Sequence, residues 1–144
     1  MSASAAAVSP AATNLRRRSR EALVALAVQY LLGMAANLIG KPDSALVGVI
    51  DTIIVILHVL VAVGLIVVAI RALLAARAAG VGRRLTLWAL VVIVLTFLAG
   101  VLTITLGSDW ASYAMATGFL IAAALYAGTF LASYRAEPAP ASAP

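Results

Sequence analysis

The chain has 144 residues, of which 65% are hydrophobic and only 10% are charged, and its formal net charge is +5. So few polar side chains cannot cover one soluble globule, which excludes the ordinary soluble classes and indicates a protein whose solvent is the lipid bilayer. Cysteine is absent, which excludes disulfides and thiolate metal sites, and no basic stripe with exposed aromatics predicts nucleic acid as a partner.

The predicted elements start after a basic N-terminal segment. Residues 1–20, rich in Ala, Ser and Arg, are expected to form a disordered cytoplasmic tail, and residues 135–144 a second disordered tail. Four apolar segments lie between them, at about 22–39, 46–70, 85–106 and 110–132. At about 1.5 Å per residue, each one approaches or exceeds the ~30 Å hydrocarbon core of a membrane. The sequence therefore predicts an all-α fold, a four-transmembrane-helix antiparallel bundle over residues 21–134.

Arginine is concentrated at one end of these segments. Nine of the ten basic residues precede helix 1, lie between helices 2 and 3, or follow helix 4, and only Lys41 falls on the other side. Because loops rich in Lys and Arg stay in the cytoplasm, we expect both termini there. A composition rich in Ala, Val and Arg indicates a bacterial inner membrane. A cleaved signal peptide over the first segment is the disfavoured alternative, since no clean A-x-A site follows it.

Small and polar residues predict the face that each helix turns toward its neighbours, because helices in lipid gain nothing by hiding Leu from Leu. Each helix has one seam of such residues at steps of three, four or seven. The seams are Ala22, Ala25, Gln29, Gly33, Ala36 and Gly40; Gly48, Asp51, His58, Ala62 and Ala69; Ala89, Thr96, Gly100, Thr103 and Gly107; and Gly118, Ala122, Tyr126, Thr129 and Ser133.

The strongly polar seam residues are the candidate functional site. Residues equidistant from a hairpin turn lie at the same depth, which places Gln29, His58 and Thr96 in one layer near mid-membrane. Asn37 and Asp51 then form a second layer nearer the outside. We expect all five side chains to point inward.

His58 is the chain's only histidine. An ionisable group inside a span is by default a functional-site hypothesis, whereas a neutral histidine bonded to a glutamine amide would equally serve as glue between helices. One histidine without cysteine builds neither a closed zinc site nor a Cys/His nucleophile, so no catalytic or metal site is predicted. The question of enzymatic activity stays open, with a non-enzymatic role favoured.

Three stretches, VQYLLGMAANL, LHVLVAVGLIVVAIRAL and FLAGVLTITLGSDW, precede a last apolar helix. In this order they resemble one four-helix half of haem A synthase, and small uncharacterised bacterial four-helix membrane proteins, over about residues 22–132. The resemblance implies a haem ligated by a histidine near helix 2 and another on helix 4. His58 matches the first, but helix 4 has no histidine. Haem would therefore need His58 with a second ligand such as Met115, or His58 shared between two protomers.

These observations predict a membrane protein with a structural or accessory role, in contact with the bilayer and with a homodimer partner or a larger membrane complex. The first alternative is a haem- or quinone-associated redox protein that uses His58. The second is a proton-coupled carrier with Asp51 and His58 as protonation sites.

Overall fold

The computed structural model describes residues 9–40 and 42–135, and its regular structure there is entirely α-helical. The four helices are α1 (Pro10–Ile39), α2 (Ala45–Ala79), α3 (Arg83–Leu106) and α4 (Asp109–Arg135). All four are long and apolar enough to cross a membrane. The predicted all-α fold with four spanning helices is confirmed, and the chain is a multi-pass membrane protein.

The helices form a square bundle in which each contacts two neighbours. α1 packs against α2 and α4, α3 packs against the same two, and no diagonal pair is in contact within the described residues. The hairpins α1–α2 and α3–α4 are the most closely packed pairs, and α2 with α3 the least. The Arg16 guanidinium lies 3.6 Å above the centre of the Tyr134 ring, so the start of α1 and the end of α4 share one end of the bundle, called here the arginine end.

α1 begins much earlier than predicted. Pro10 occupies its first turn, where proline's missing N–H costs nothing. Ala12, Leu15 and Ser19 are buried, and Leu15 packs against Ala75 and Ala76 of α2. The prediction of a disordered tail over residues 1–20 is therefore wrong for residues 10–20, because this segment has an apolar stripe of its own. Residues 1–8, Lys41 and residues 136–144 lie outside the described part of the chain.

The predicted connection 71–84 is also mostly helix. α2 continues through Ala79, since the sequence ALLAARAA consists of strong helix formers. The turn is only Gly80–Gly82, and both glycines have left-handed backbone angles, φ 69° and φ 70°, which glycine adopts at no steric cost. The midpoint of the α2–α3 hairpin thus lies at Val81, three to four residues later than predicted.

The bundle is tightly packed in one half only. The core cluster includes one alanine from each helix, Ala22, Ala69, Ala89 and Ala122, each at most 1% exposed. Such small side chains let helix backbones approach closely. All five predicted seam residues of helix 4, from Gly118 to Ser133, are buried, which confirms that seam.

The half away from the arginine end is open. In the described chain, no residue after Gln29 in α1, before Leu65 in α2, after Thr96 in α3 or before Gly118 in α4 is buried. The seam residues Gly40 and Gly107 are exposed there. The helices therefore separate toward this end, and cavities lie between them.

Candidate functional site

Two adjoining cavities occupy the bundle where the helices separate. The inner cavity, of about 70 Å³, is bordered by all four helices and includes Gln29, His58 and Thr96 in its wall. The outer cavity, of about 220 Å³, lies nearer the open end and includes Asn37 and His58. The residues that border both cavities are His58, Gly100, Ile104 and Met115. His58 thus stands at the junction, and most of the remaining wall is apolar.

Gln29, in the wall of the inner cavity, has a buried polar atom. It is the last buried residue of the α1 seam and is 1% exposed. Its amide oxygen, Oε1, has no hydrogen-bond partner. A buried acceptor without a donor is costly, and the cost is removed when a ligand or water supplies the donor.

His58 reaches the cavities because α1 has a glycine opposite it. A Cβ atom on Gly33 would lie 3.1 Å from the Cε1 atom of the ring, so any larger residue at position 33 would push the imidazole aside. The half-buried ring interacts with the backbone of Gln29, while its Nδ1 atom is buried without a hydrogen-bond partner.

Gln29 and His58 leave two buried polar atoms without a hydrogen-bond partner, the amide Oε1 and the imidazole Nδ1. The amide oxygen accepts hydrogen bonds, and Nδ1 accepts one when the neutral ring carries its proton on Nε2.

Thr96 borders the inner cavity together with Gln29 and His58. That the three share one depth in the membrane stays a prediction. Thr96 is packed against α4, where a Cβ atom on Gly118 would overlap its hydroxyl oxygen.

Of the two residues predicted for the second layer, one borders a cavity and the other does not. Asn37 borders the outer cavity together with His58, although it is largely exposed. Asp51 is half-exposed and borders neither cavity, and no hydrogen bond or ion pair involves it within residues 9–40 and 42–135. The outer cavity includes Val55 as its α2 residue nearest to Asp51, so it ends one turn short of the aspartate.

Met115 is the remaining polarisable group at the site. It borders both cavities, and its sulfur would lie 3.2 Å from a Cβ atom on Gly100. Position 115 is three residues before Gly118 on the helix 4 seam, so spacing alone could have placed it in the wall.

Sequence reasoning missed two buried polar residues in the tight half, Ser19 and Thr86. Each lies three residues before the first seam residue of its helix, Ala22 and Ala89, so extending the seams by one step would have found them. The Thr86 hydroxyl donates to the carbonyls of Gly82 and Arg83 at 3.1 Å, within its own helix. The Ser19 hydroxyl oxygen is buried without a hydrogen-bond partner, but Ser19 borders neither cavity.

These cavities, which are partly open, do not enclose enough space for a whole haem. Together they measure about 290 Å³, whereas an apolar cavity of about 150 Å³ holds a single benzene ring. A macrocycle of four pyrrole rings around an iron is too large for that space, although His58 and Met115 border it from opposite helices. Within the described residues, no group of three or more His, Cys, Asp or Glu side chains could hold a metal ion.

Comparisons of this chain with protein-family models, with curated proteins and with solved structures give no match. The site therefore stands on its own geometry: an apolar, mid-bundle cavity bordered by two residues with unpartnered buried polar atoms, Gln29 and His58.

Proposed function

We propose that this membrane protein binds a small lipophilic molecule that has one six-membered ring and a hydroxyl donor, the chemistry of a membrane quinol. The observation that carries the proposal is that Gln29 and His58 each have a buried polar atom without a partner, Oε1 and Nδ1. Both residues border the inner cavity, where four helices leave space. A few convergent polar groups in an apolar pocket are typical of small-molecule sites.

The sizes and the polarity match such a ligand. The outer cavity has room for one substituted ring, and the inner cavity has room for its hydroxyl group beside Gln29 and His58. A hydroxyl can donate to either acceptor. The oxidised quinone, whose carbonyl oxygens only accept, lacks this match.

A lipophilic ligand also needs a way in. α2 and α3 are the least closely packed neighbours, and the inner cavity includes Val59 of α2 and Val101 of α3, which are 38% and 42% exposed on the surface facing lipid. The space between these two helices therefore offers a lateral path from the bilayer to His58.

We further propose an accessory role in a larger membrane complex. Holding a quinol leaves the electron transfer to a partner, which is the role of an accessory subunit. The arginine end would face the cytoplasm of a bacterial inner membrane, in keeping with the positive-inside rule. The resemblance to half of haem A synthase and the proton-carrier alternative stay predictions, and the distance of Asp51 from the cavities lends the carrier no support.

The test is binding of a short-chain benzoquinol to the full chain in lipid nanodiscs. Binding would be followed by the quenching of Trp fluorescence and by solvent extraction with chromatographic quantification. Gln29→Leu removes the acceptor at nearly constant volume, and Thr105→Val is the control, since Thr105 is exposed and bonded to the Val101 carbonyl. We expect the quinol to bind about tenfold more weakly to Gln29→Leu and unchanged to Thr105→Val.

Equal binding to both variants would show that the quinol dissolves in the lipid or on the outer surface, and would overturn the proposed site. The quinone form of the same compound gives a second discrimination, because it should bind more weakly than the quinol to the wild-type chain.

A further inference from the structure

A crevice at the arginine end is independent of the quinol site. It is a shallow, largely open depression between α1 and α2, of about 460 Å³. Asn14 and Arg18 border it from α1, and Arg71, Leu74, Ala75 and Ala78 border it from α2. Two arginines and one asparagine therefore lie beside three apolar residues.

The charges in this crevice are not balanced. The Arg18 Nη1 atom lies 2.7 Å from the Glu21 Oε2 atom, but Glu21 is shared with Arg17, whose Nε atom lies 3.5 Å from the other carboxylate oxygen. Within residues 9–40 and 42–135, no hydrogen bond or ion pair involves Arg71. One carboxylate thus serves two arginines, and Arg71 presents a free positive charge.

The surroundings of Arg71 place it at the edge of the hydrocarbon core. Its neighbours Ile70 and Leu74 are 45% and 55% exposed, which is the surface expected against lipid. The long apolar run of α2 ends immediately before Arg71, and the helix continues for about 12 Å to Ala79. The interfacial layer on each side of the bilayer is about 5–8 Å thick, so the crevice runs through the level of the lipid head groups.

We propose that this crevice binds the phosphate of an anionic phospholipid, with Arg71 and Arg18 as its cationic ligands. Guanidinium groups match phosphate oxygens with paired hydrogen bonds, and basic pockets between membrane helices are known to suit anionic head groups. An acyl chain of the same lipid would lie along Ile70 and Leu74.

The net charge of the arginine end selects anionic over zwitterionic lipid. Arg17 and Arg20 are also exposed there, and Glu21 is the one acidic residue that the structure describes near the crevice. A choline or ethanolamine ammonium group would therefore meet repulsion, whereas an uncharged glycerol head group would not.

The experiment is native mass spectrometry of the full chain, released from detergent, with phosphatidylglycerol or phosphatidylcholine added at a series of concentrations. Arg71→Gln is the test variant, and Arg77→Gln is the matched control. Arg77 is an exposed arginine on the same helix that does not border the crevice. We expect phosphatidylglycerol to bind Arg71→Gln about tenfold more weakly and Arg77→Gln nearly as well as wild type. Phosphatidylcholine should bind weakly to all three proteins.

Equal loss in the two variants would show a diffuse charge effect, and equal binding of both lipids would show no recognition of the head group. Either result overturns the proposal. Circular dichroism and quinol binding report whether Arg71→Gln still folds, since the quinol site lies in the other half of the bundle. Arg71→Lys adds a second comparison: it retains the charge but not the planar fork, and should bind between wild type and Arg71→Gln.

Discussion

Replacing Gln29 by leucine should make the empty protein more stable. Gln29 is 1% exposed and its Oε1 atom has no partner. An unsatisfied buried polar group costs about 1–3 kcal/mol. Inside a bilayer, the stability gained by removing such a group is smaller. Hydrogen bonds between membrane helices average only about 0.6 kcal/mol, because the unfolded helices also find partners. Leucine has nearly the same volume, so the packing cost is small. We expect a gain of about 1 kcal/mol, or roughly fivefold in the folding equilibrium.

The assay is reversible unfolding by sodium dodecyl sulfate in mixed micelles, followed by helix content. Asn37→Leu is the matched control, because it makes the same amide-to-leucine change at a largely exposed position. Its stability should stay within about 0.5 kcal/mol of wild type.

Adding a quinol should reverse the order of stability. A ligand at one hundred times its dissociation constant stabilises a protein by about 2.7 kcal/mol, so wild type should overtake the Gln29→Leu variant. If instead the empty variant is less stable than wild type by about 1 kcal/mol or more, then Oε1 already has a donor, and the reasoning from an unpartnered acceptor fails. If Gln29→Leu is more stable but wild type does not respond to quinol, the energetic argument for an unpartnered acceptor holds and quinol binding is refuted.

Three further outcomes test the fold. Gly118→Ala should destabilise the bundle by about 1–3 kcal/mol, because the new methyl group would overlap the Thr96 hydroxyl. Adding Thr96→Ala to the same chain should restore much of the lost stability. If the loss is unchanged in the double variant, the clash lies elsewhere. Leu15→Ala should cost about 2–4 kcal/mol in the same assay, since Leu15 is fully buried, whereas a disordered segment would show no effect. Reporter enzymes inserted after Asp43 and after Val81 should report opposite sides of the membrane, and a shared side would contradict four spans.

The membrane-spanning helices could be predicted because the bilayer sets strict requirements on helix length and polarity. A helix that crosses it must be about twenty residues long and apolar, and that requirement is visible in any window of the sequence. Inward faces were visible too, since small residues have no reason to line up on the lipid side. The buried seam from Gly118 to Ser133 shows how far this reasoning reaches.

The same reasoning fails where helices leave the hydrocarbon. Residues 10–20 and 71–79 are helical although they carry arginines, because helix propensity and the contact of Leu15 with Ala75 and Ala76 stabilise them. A search for long, continuous apolar runs detects neither effect. Because α2 extends to Ala79, the α2–α3 turn lies three to four residues later than the sequence predicted.

The cavity depends on contacts between side chains and glycines that no single helix reveals. In the tight half, each helix places an alanine at the centre, and the backbones close on one another. In the open half, α1 and α3 place Gly33 and Gly100, while α2 and α4 place His58 and Met115 against them. Each glycine accommodates a long side chain from the neighbouring helix in its hairpin. All four of these residues border the cavities. The tight half has an alanine seam, whereas the open half has two pairs of a glycine and a long side chain, and this contrast is the physical reason for placing the proposed ligand next to His58.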